Sequence, residues 1–156
     1  SGSPLSVEFG LALRELCTYL AKEIARDGEG ASRLIEVNVT GALDYDEART
    51  VIHTITTSYL IKSAIYGADP NWGRIVSAVG RTGATYDEEN VRVSLCGHLV
   101  FADRRPTTFD PAAISRDMKA DIVVIDIELG AGTVDLTGWG CDLTEEYVKI
   151  NAEYTT

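Results

Sequence analysis

The fold of this chain is decided by the stretch Asp121-Ile-Val-Val-Ile-Asp-Ile-Glu-Leu-Gly-Ala-Gly-Thr-Val-Asp-Leu-Thr137. Its first nine residues alternate between two faces, and the more apolar face carries Val123, Ile125, Ile127 and Leu129. This period of two predicts a half-buried strand. Gly130-Ala-Gly132 then provides residues suited to a tight turn, so the stretch predicts a β-hairpin whose second strand ends near Thr137.

Further strands and helices are predicted upstream and downstream of this hairpin. Leu34–Val39 alternates in the same way, and the segment from Val91 to Phe101 predicts a hairpin that turns at Gly97-His98. A short connector containing Lys62 is predicted before the third helix. Five helices are predicted: from Ser3 or Ser6 to about Arg26, from Asp44 or Asp46, from Asp69-Pro70 to Gly80, from Asp110-Pro111 to about Met118, and from Asp142 or Thr144.

This order of elements predicts an α+β fold, with helices packed on a mixed, largely antiparallel sheet. The sequence contains no internal repeat, low-complexity tract or Gly/Ser linker. A single domain over residues 1–156 is therefore the simplest organisation.

The composition excludes several classes of function. A net charge of −10 and a pI near 4.6 argue against a nucleic-acid partner, which needs clustered Lys and Arg. No apolar run approaches the ~20 residues of a membrane helix, and the Ser-Gly-Ser-Pro start is not a signal peptide. The three widely spaced cysteines, Cys17, Cys96 and Cys141, predict free thiols in a reducing, cytoplasmic setting and no metal site.

Charged, polar and aromatic residues are concentrated in the stretch Lys62-Ser-Ala-Ile-Tyr-Gly-Ala-Asp-Pro-Asn-Trp-Gly-Arg74. Asp69 and Pro70 predict a helix start, with the acid as N-cap and the proline in the first turn. Lys62 is either a surface lysine or an anion contact, and Trp72 a core or interface anchor. Arg74 opposes the helix dipole, which suggests a specific partner such as Asp69 or another subunit.

Two other segments contain candidates for binding or chemistry. The acid in Asp27-Gly-Glu29-Gly30 is either solvated beside a helix end or held for a cationic group such as an amine. In the C-terminal tail, Asn151 and Thr156 offer hydrogen bonds if the tail docks. Ser1 would be a nucleophile only as a free N-terminal residue with its own amine as base.

The chain resembles the ornithine acetyltransferases, also called glutamate N-acetyltransferases or bifunctional arginine biosynthesis proteins. The resemblance rests on Leu60–Gly80 around Asp-Pro-Asn-Trp-Gly-Arg, on Arg26-Asp-Gly-Glu-Gly-Ala31, and on Cys141–Thr156. These three motifs occur in a consistent order over nearly the whole chain.

The resemblance implies an enzyme that moves acetyl from N-acetylornithine to glutamate through an acyl-enzyme, in a ping-pong reaction. It implies a precursor that cleaves itself before a threonine, which becomes the N-terminal nucleophile of the β chain. It implies no metal or nucleotide cofactor, although some members also use acetyl-CoA. The partners implied are ornithine, the α chain and the upstream β segment, assembled as α2β2 or higher.

By this resemblance the chain is the C-terminal part of the β chain, and the nucleophilic threonine lies upstream, so no catalytic residue is expected here. Glu29 matches the carboxylate that receives the substrate's α-amino group, and Asn151 and Thr156 match C-terminal substrate contacts. Two alternatives stay open from the residues alone. One is an N-terminal-nucleophile hydrolase that uses Ser1, and the other is a non-catalytic assembly module.

Overall fold

A computed structural model of the chain describes residues 4–153. The predictions for Ser1 and Thr156 lie outside these described residues. Helices begin and end in chain order as follows: α1 Pro4–Arg26, α2 Tyr45–Thr57, α3 Tyr59–Tyr66, α4 Trp72–Gly80, α5 Pro111–Asp117 and α6 Glu145–Glu153. Strands are β1 Leu34–Ala42, β2 Arg92–Leu95, β3 His98–Ala102, β4 Arg105–Pro106, β5 Ile122–Glu128 and β6 Val134–Cys141.

The strands described in residues 4–153 form one sheet of six in the order β4-β3-β2-β5-β1-β6. β1 runs parallel to β5 and antiparallel to β6, and the other pairs in this described part are antiparallel. The prediction of an α+β fold on a mixed, largely antiparallel sheet is confirmed.

The core lies between one face of the sheet and the helices α2, α3 and α4. Alternate residues of β1 and β5 on this face are fully or almost fully buried, as their period of two predicts: Ile35, Val37, Val39, Val123, Ile125 and Ile127. Ala48, Val51 and Ile55 of α2 are buried against them. Burial of each large side chain contributes about 1.5–3 kcal/mol.

The predicted hairpin of β5 and β6 is wrong. Within the described residues these strands do not pair, because β1 lies between them and forms a ladder with each. Their connection instead crosses the end of β1, where the N–H groups of Ala131 and Gly132 donate to the Gly41 carbonyl. The alternating pattern and the turn residues predict two strands joined by a turn. They do not indicate whether these strands pair with each other or with a third strand between them.

The connector predicted around Lys62 is also wrong, because residues Tyr59–Tyr66 form α3 with Ser58 as N-cap. The following helix, α4, begins at Trp72 and not at Asp69-Pro70. The Asp69 carboxylate accepts from the Asn71 side chain at 3.2 Å and does not cap a helix N–H. Ala68 has a φ of +51°, so the chain turns sharply before α4 begins.

The β2–β3 turn and its surroundings differ slightly from the prediction. Cys96 and Gly97 have φ of +51° and +78°, so the turn lies one residue earlier than predicted. His98 opens β3 and contacts Asp117, with 2.7 Å between Nε2 and Oδ2. The two-residue strand β4 was not predicted.

α1 is held on the opposite face of the sheet by a cluster of three side chains. Lys22 Nζ lies 2.8 Å from Glu36 Oε2 and 5.3 Å from the centre of the Trp139 ring. Trp139 Nε1 donates to the same carboxylate at 2.8 Å. Burial alone would raise the pKa of Glu36, but hydrogen bonds from Lys22 and Trp139 and the Lys22 charge outweigh it, so this pKa is lowered.

We predict that Lys22→Met destabilises the protein more at neutral pH than in acid. A lowered pKa means that the folded state binds this proton less readily than the unfolded state. The stabilisation is therefore complete above about pH 4.3, the ordinary glutamate value, and is lost as the pH falls through the lower folded value. Thermal unfolding at pH 7 and pH 3 measures the difference, which should be at most about 1 kcal/mol for a partly exposed pair.

Lys149→Met is the matched control, because the Lys149–Glu146 pair is exposed on both sides. It should change little at either pH. A Lys22→Met effect of the same size at pH 3 as at pH 7 would contradict the assignment.

We predict that Gly132→Ala is destabilising because a Cβ there would overlap the Ala42 carbonyl oxygen and Leu43 Cα. Both obstacles are backbone at the crossing over β1, so neither can move cheaply. Overpacking of this kind costs about 1–3 kcal/mol. Gly80→Ala is the control, because nothing lies within 4 Å of its Cβ position. Denaturant unfolding should separate the two variants, and equal stability would contradict the crossing.

Candidate functional site

The pairing of β1 with β6 brings two distant loops together. Leu34, the first residue of β1, lies opposite Cys141, the last residue of β6. The loop that precedes β1 and the segment that follows β6 therefore meet at one end of the sheet. The Asp142 N–H donates to the Arg33 carbonyl at 3.2 Å and extends this contact beyond the ladder.

Asp142 is the polar centre of this junction. Its residue is 3% exposed, and its carboxylate accepts from Ser32 N at 2.8 Å and Arg33 N at 3.1 Å through Oδ1. Oδ2 accepts from Ser32 Oγ at 2.5 Å and lies 4.0 Å from Arg33 Nη1. A buried carboxylate is tolerated where several donors and a cation compensate for lost water.

Thr144 forms the second contact between the two loops. Its hydroxyl donates to the Gly30 carbonyl at 2.6 Å and accepts from Tyr147 N at 3.2 Å, which makes it the N-cap of α6. Gly30 has a φ of +64°, and a Cβ there would lie 2.6 Å from Tyr147 N. The loop can therefore approach α6 this closely only with glycine at this position.

Glu29 and Asn151 meet on the surface above this junction. Asn151 Nδ2 donates to Glu29 Oε2 at 2.9 Å and to the Tyr147 carbonyl at 2.9 Å. The two residues are 122 positions apart. A carboxylate beside an amide offers acceptors for an ammonium group, and the amide can also bind a carboxylate.

The sequence-predicted site residues are thus partly brought together. Glu29 and Asn151 are in contact, and Thr156 lies outside the described residues. The sequence predicts Asp142 only as an alternative helix cap, and Ser32 and Arg33 were not predicted as site residues. No local signal identifies them, because Ser32 and Asp142 are 110 positions apart.

The stretch from Lys62 to Arg74 mainly connects neighbouring elements of the fold. Arg74 Nη1 donates to the Leu60 carbonyl at 2.5 Å and joins the start of α4 to α3. Trp72 stacks on Phe101, with 5.8 Å between ring centres. Lys62 approaches the junction, because its Nζ lies 3.9 Å from Cys141 Sγ.

Across residues 4–153, no group of three or more His, Cys, Asp or Glu side chains is placed to hold a metal ion. No helix in this range is long and apolar enough to cross a membrane. All three cysteines are free thiols, and burial raises the pKa of Cys96. An apolar cavity of about 180 Å³ is lined by residues of α4, β2 and β3, away from Glu29.

Comparison with protein families gives a match to the ArgJ family over residues 2–156. The chain belongs to the ArgJ family. It is 48% identical to an arginine biosynthesis bifunctional protein ArgJ of Parasynechococcus marenigrum, over 100% of this chain and 39% of that protein. It is 51% identical to the ArgJ protein of Deinococcus radiodurans, over 96% of this chain and 38% of that protein. It is 49% identical to a glutamate N-acetyltransferase of Methanosarcina mazei, over 89% of this chain and 36% of that protein.

The fold also matches a solved member of the ArgJ family. The crystal structure of the arginine biosynthesis bifunctional protein ArgJ from Bacillus halodurans superposes with a TM-score of 0.92 at 44% identity. The match covers 97% of this chain and 72% of that one. Of the three curated relatives named above, the chain spans only 36–39% of the length.

Proposed function

We propose that this chain is the C-terminal part of a glutamate N-acetyltransferase, and that Glu29 and Asn151 bind the α-amino end of its substrate. The contact between Glu29 and Asn151 supports this proposal most directly. It joins two segments that are 122 positions apart in the sequence. Its ArgJ relatives include proteins named glutamate N-acetyltransferase, which supports N-acetylornithine, ornithine and glutamate as the substrates.

The proposed reaction proceeds in two acyl transfers. A threonine upstream of this chain attacks the acetyl carbonyl of N-acetylornithine, the C–N bond breaks, and ornithine leaves with the proton. The amine of glutamate then attacks the acetyl ester, which forms N-acetylglutamate and restores the threonine hydroxyl. Glu29 would orient each amino acid by a charge-assisted hydrogen bond, and Thr156 would add a contact from the tail.

An exposed apolar face on α1 supports a larger assembly. Phe9 is 68% exposed, Leu16 is 53% exposed and Ile24 is 77% exposed, all at helical spacing. A contiguous apolar face of this kind marks an interaction surface. We propose that it packs against the upstream β segment or the α chain of the same precursor, in a cytoplasmic α2β2 or larger assembly.

We predict that the complete purified protein consists of two chains, the second of which begins with threonine upstream of residue 1. N-terminal sequencing and intact mass measure the processing, and light scattering measures the assembly. The acetyl-exchange assay with N-acetylornithine and glutamate then tests the activity. A single uncut chain that exchanges acetyl normally would contradict the processed nucleophile.

We predict that Glu29→Gln in the complete protein raises KM for N-acetylornithine while the protein stays folded. The substitution keeps the shape of the side chain but removes the negative charge of the carboxylate that would accept a hydrogen bond from the substrate's α-nitrogen. Loss of a charge-assisted hydrogen bond costs about 1.5–3 kcal/mol, or roughly a 10- to 150-fold fall in kcat/KM.

Glu23→Gln is the matched control for Glu29→Gln, because Glu23 is an exposed acid whose described partner is Arg26 on the same helix. Its kcat/KM should match that of the wild type. An unchanged kcat/KM in Glu29→Gln would remove Glu29 from the substrate site and leave the exchange activity itself in place.

A further inference from the structure

We propose that Asp142 is a positioning residue that fixes Glu29 against Asn151 and thereby sets the affinity for the amino acid substrate. This inference rests on the proposed function for its consequence in KM. Its structural part concerns only the contact between two side chains. Asp142 itself does not touch the proposed substrate groups.

Asp142 accepts several hydrogen bonds, and all of them come from the same direction. Three donors converge on its buried carboxylate, and all three belong to Ser32 or Arg33, in the same loop as Glu29. A helix cap would accept from the helix that follows. Here Thr144 caps α6, so the Asp142 side chain is free to hold the other loop.

Arg33 connects the same loop to a third element, α3. Its Nη1 donates to the carbonyls of Ile65 and Tyr66 at 2.8 Å each, at the end of α3. Arg33 Nη1 lies 4.0 Å from Asp142 Oδ2, so the guanidinium charge compensates the buried carboxylate without a direct hydrogen bond. The loop is therefore fixed between β6 and a helix of the core.

Helix α6 is exposed along its whole length. No residue of α6, Glu145–Glu153, is buried. Its contacts with the loop that precedes β1 lie at its N-terminal junction, where Thr144 binds Gly30, and at Asn151 near its far end, which binds Glu29. A change at Asp142 should therefore move Glu29 relative to Asn151 while the core between the sheet and α2 stays intact.

The test is a double-mutant cycle in the complete protein, with Asp142→Asn and Glu29→Gln measured singly and together. Asp142→Asn keeps the shape of the side chain and removes its charge. We expect KM for N-acetylornithine to rise about 5- to 10-fold with kcat nearly unchanged. In the Glu29→Gln background the same change should alter KM less than about 2-fold, because residues that act together are not additive.

A second readout does not depend on activity. With selective ¹⁵N-asparagine labelling, the side-chain amide signals of Asn151 report its hydrogen bond to Glu29. In Asp142→Asn these signals should move toward their position in Glu29→Gln. Asp44→Asn is the control: Asp44 caps α2 by accepting from Glu47 N at 2.8 Å, so its loss should leave both KM and the Asn151 signals unchanged.

The outcomes separate this inference from the proposed function. Unmoved Asn151 signals in Asp142→Asn, or a KM effect of equal size in both backgrounds, would overturn the positioning role. An inactive wild type would contradict the acetyltransferase, while the Asn151 signals would still decide the structural part. If Asp142→Asn does not fold, Ser32→Ala removes one of the three contacts and should shift the same signals in the same direction by a smaller amount.

Discussion

The antiparallel pairing of β1 with β6 is the constraint on which the rest of the structure depends. It places Leu34 opposite Cys141 and so brings together two loops more than a hundred residues apart in the chain. The same strand, β1, pairs on its other edge with β5 in parallel. β1 therefore both centres the core and brings the candidate site together.

This arrangement has a cost at each end of β1. At one end the β5–β6 connection crosses the strand, and only glycine fits at position 132 beside the Ala42 backbone. At the other end polar groups of both loops are buried, and the Asp142 carboxylate with its three donors compensates for their lost hydration. The exposed residues Glu29 and Asn151, which hydrogen-bond to each other, belong to the two segments that this buried network joins.

Local structure was predictable from the sequence because it depends on neighbours in the chain. The period of two in Leu34–Val39 and Asp121–Leu129, and the caps at Asp44 and Asp110, appear where they were predicted. Strand partners were not predictable in this way, and so the β5–β6 hairpin was wrong. Asp142 is identical in local pattern to a helix cap, and only the tertiary pairing shows which loop it binds. The expected roles of Glu29 and Asn151 in substrate binding came from family resemblance, and their hydrogen bond to each other was not predicted.

The most direct measurement is a crystal structure of the complete protein with ornithine bound. We expect the α-amino nitrogen of ornithine to lie about 2.7–3.2 Å from a Glu29 carboxylate oxygen, with the Asn151 amide adjacent. Ornithine bound elsewhere, with Glu29 and Asn151 in contact only with each other or with water, would contradict it.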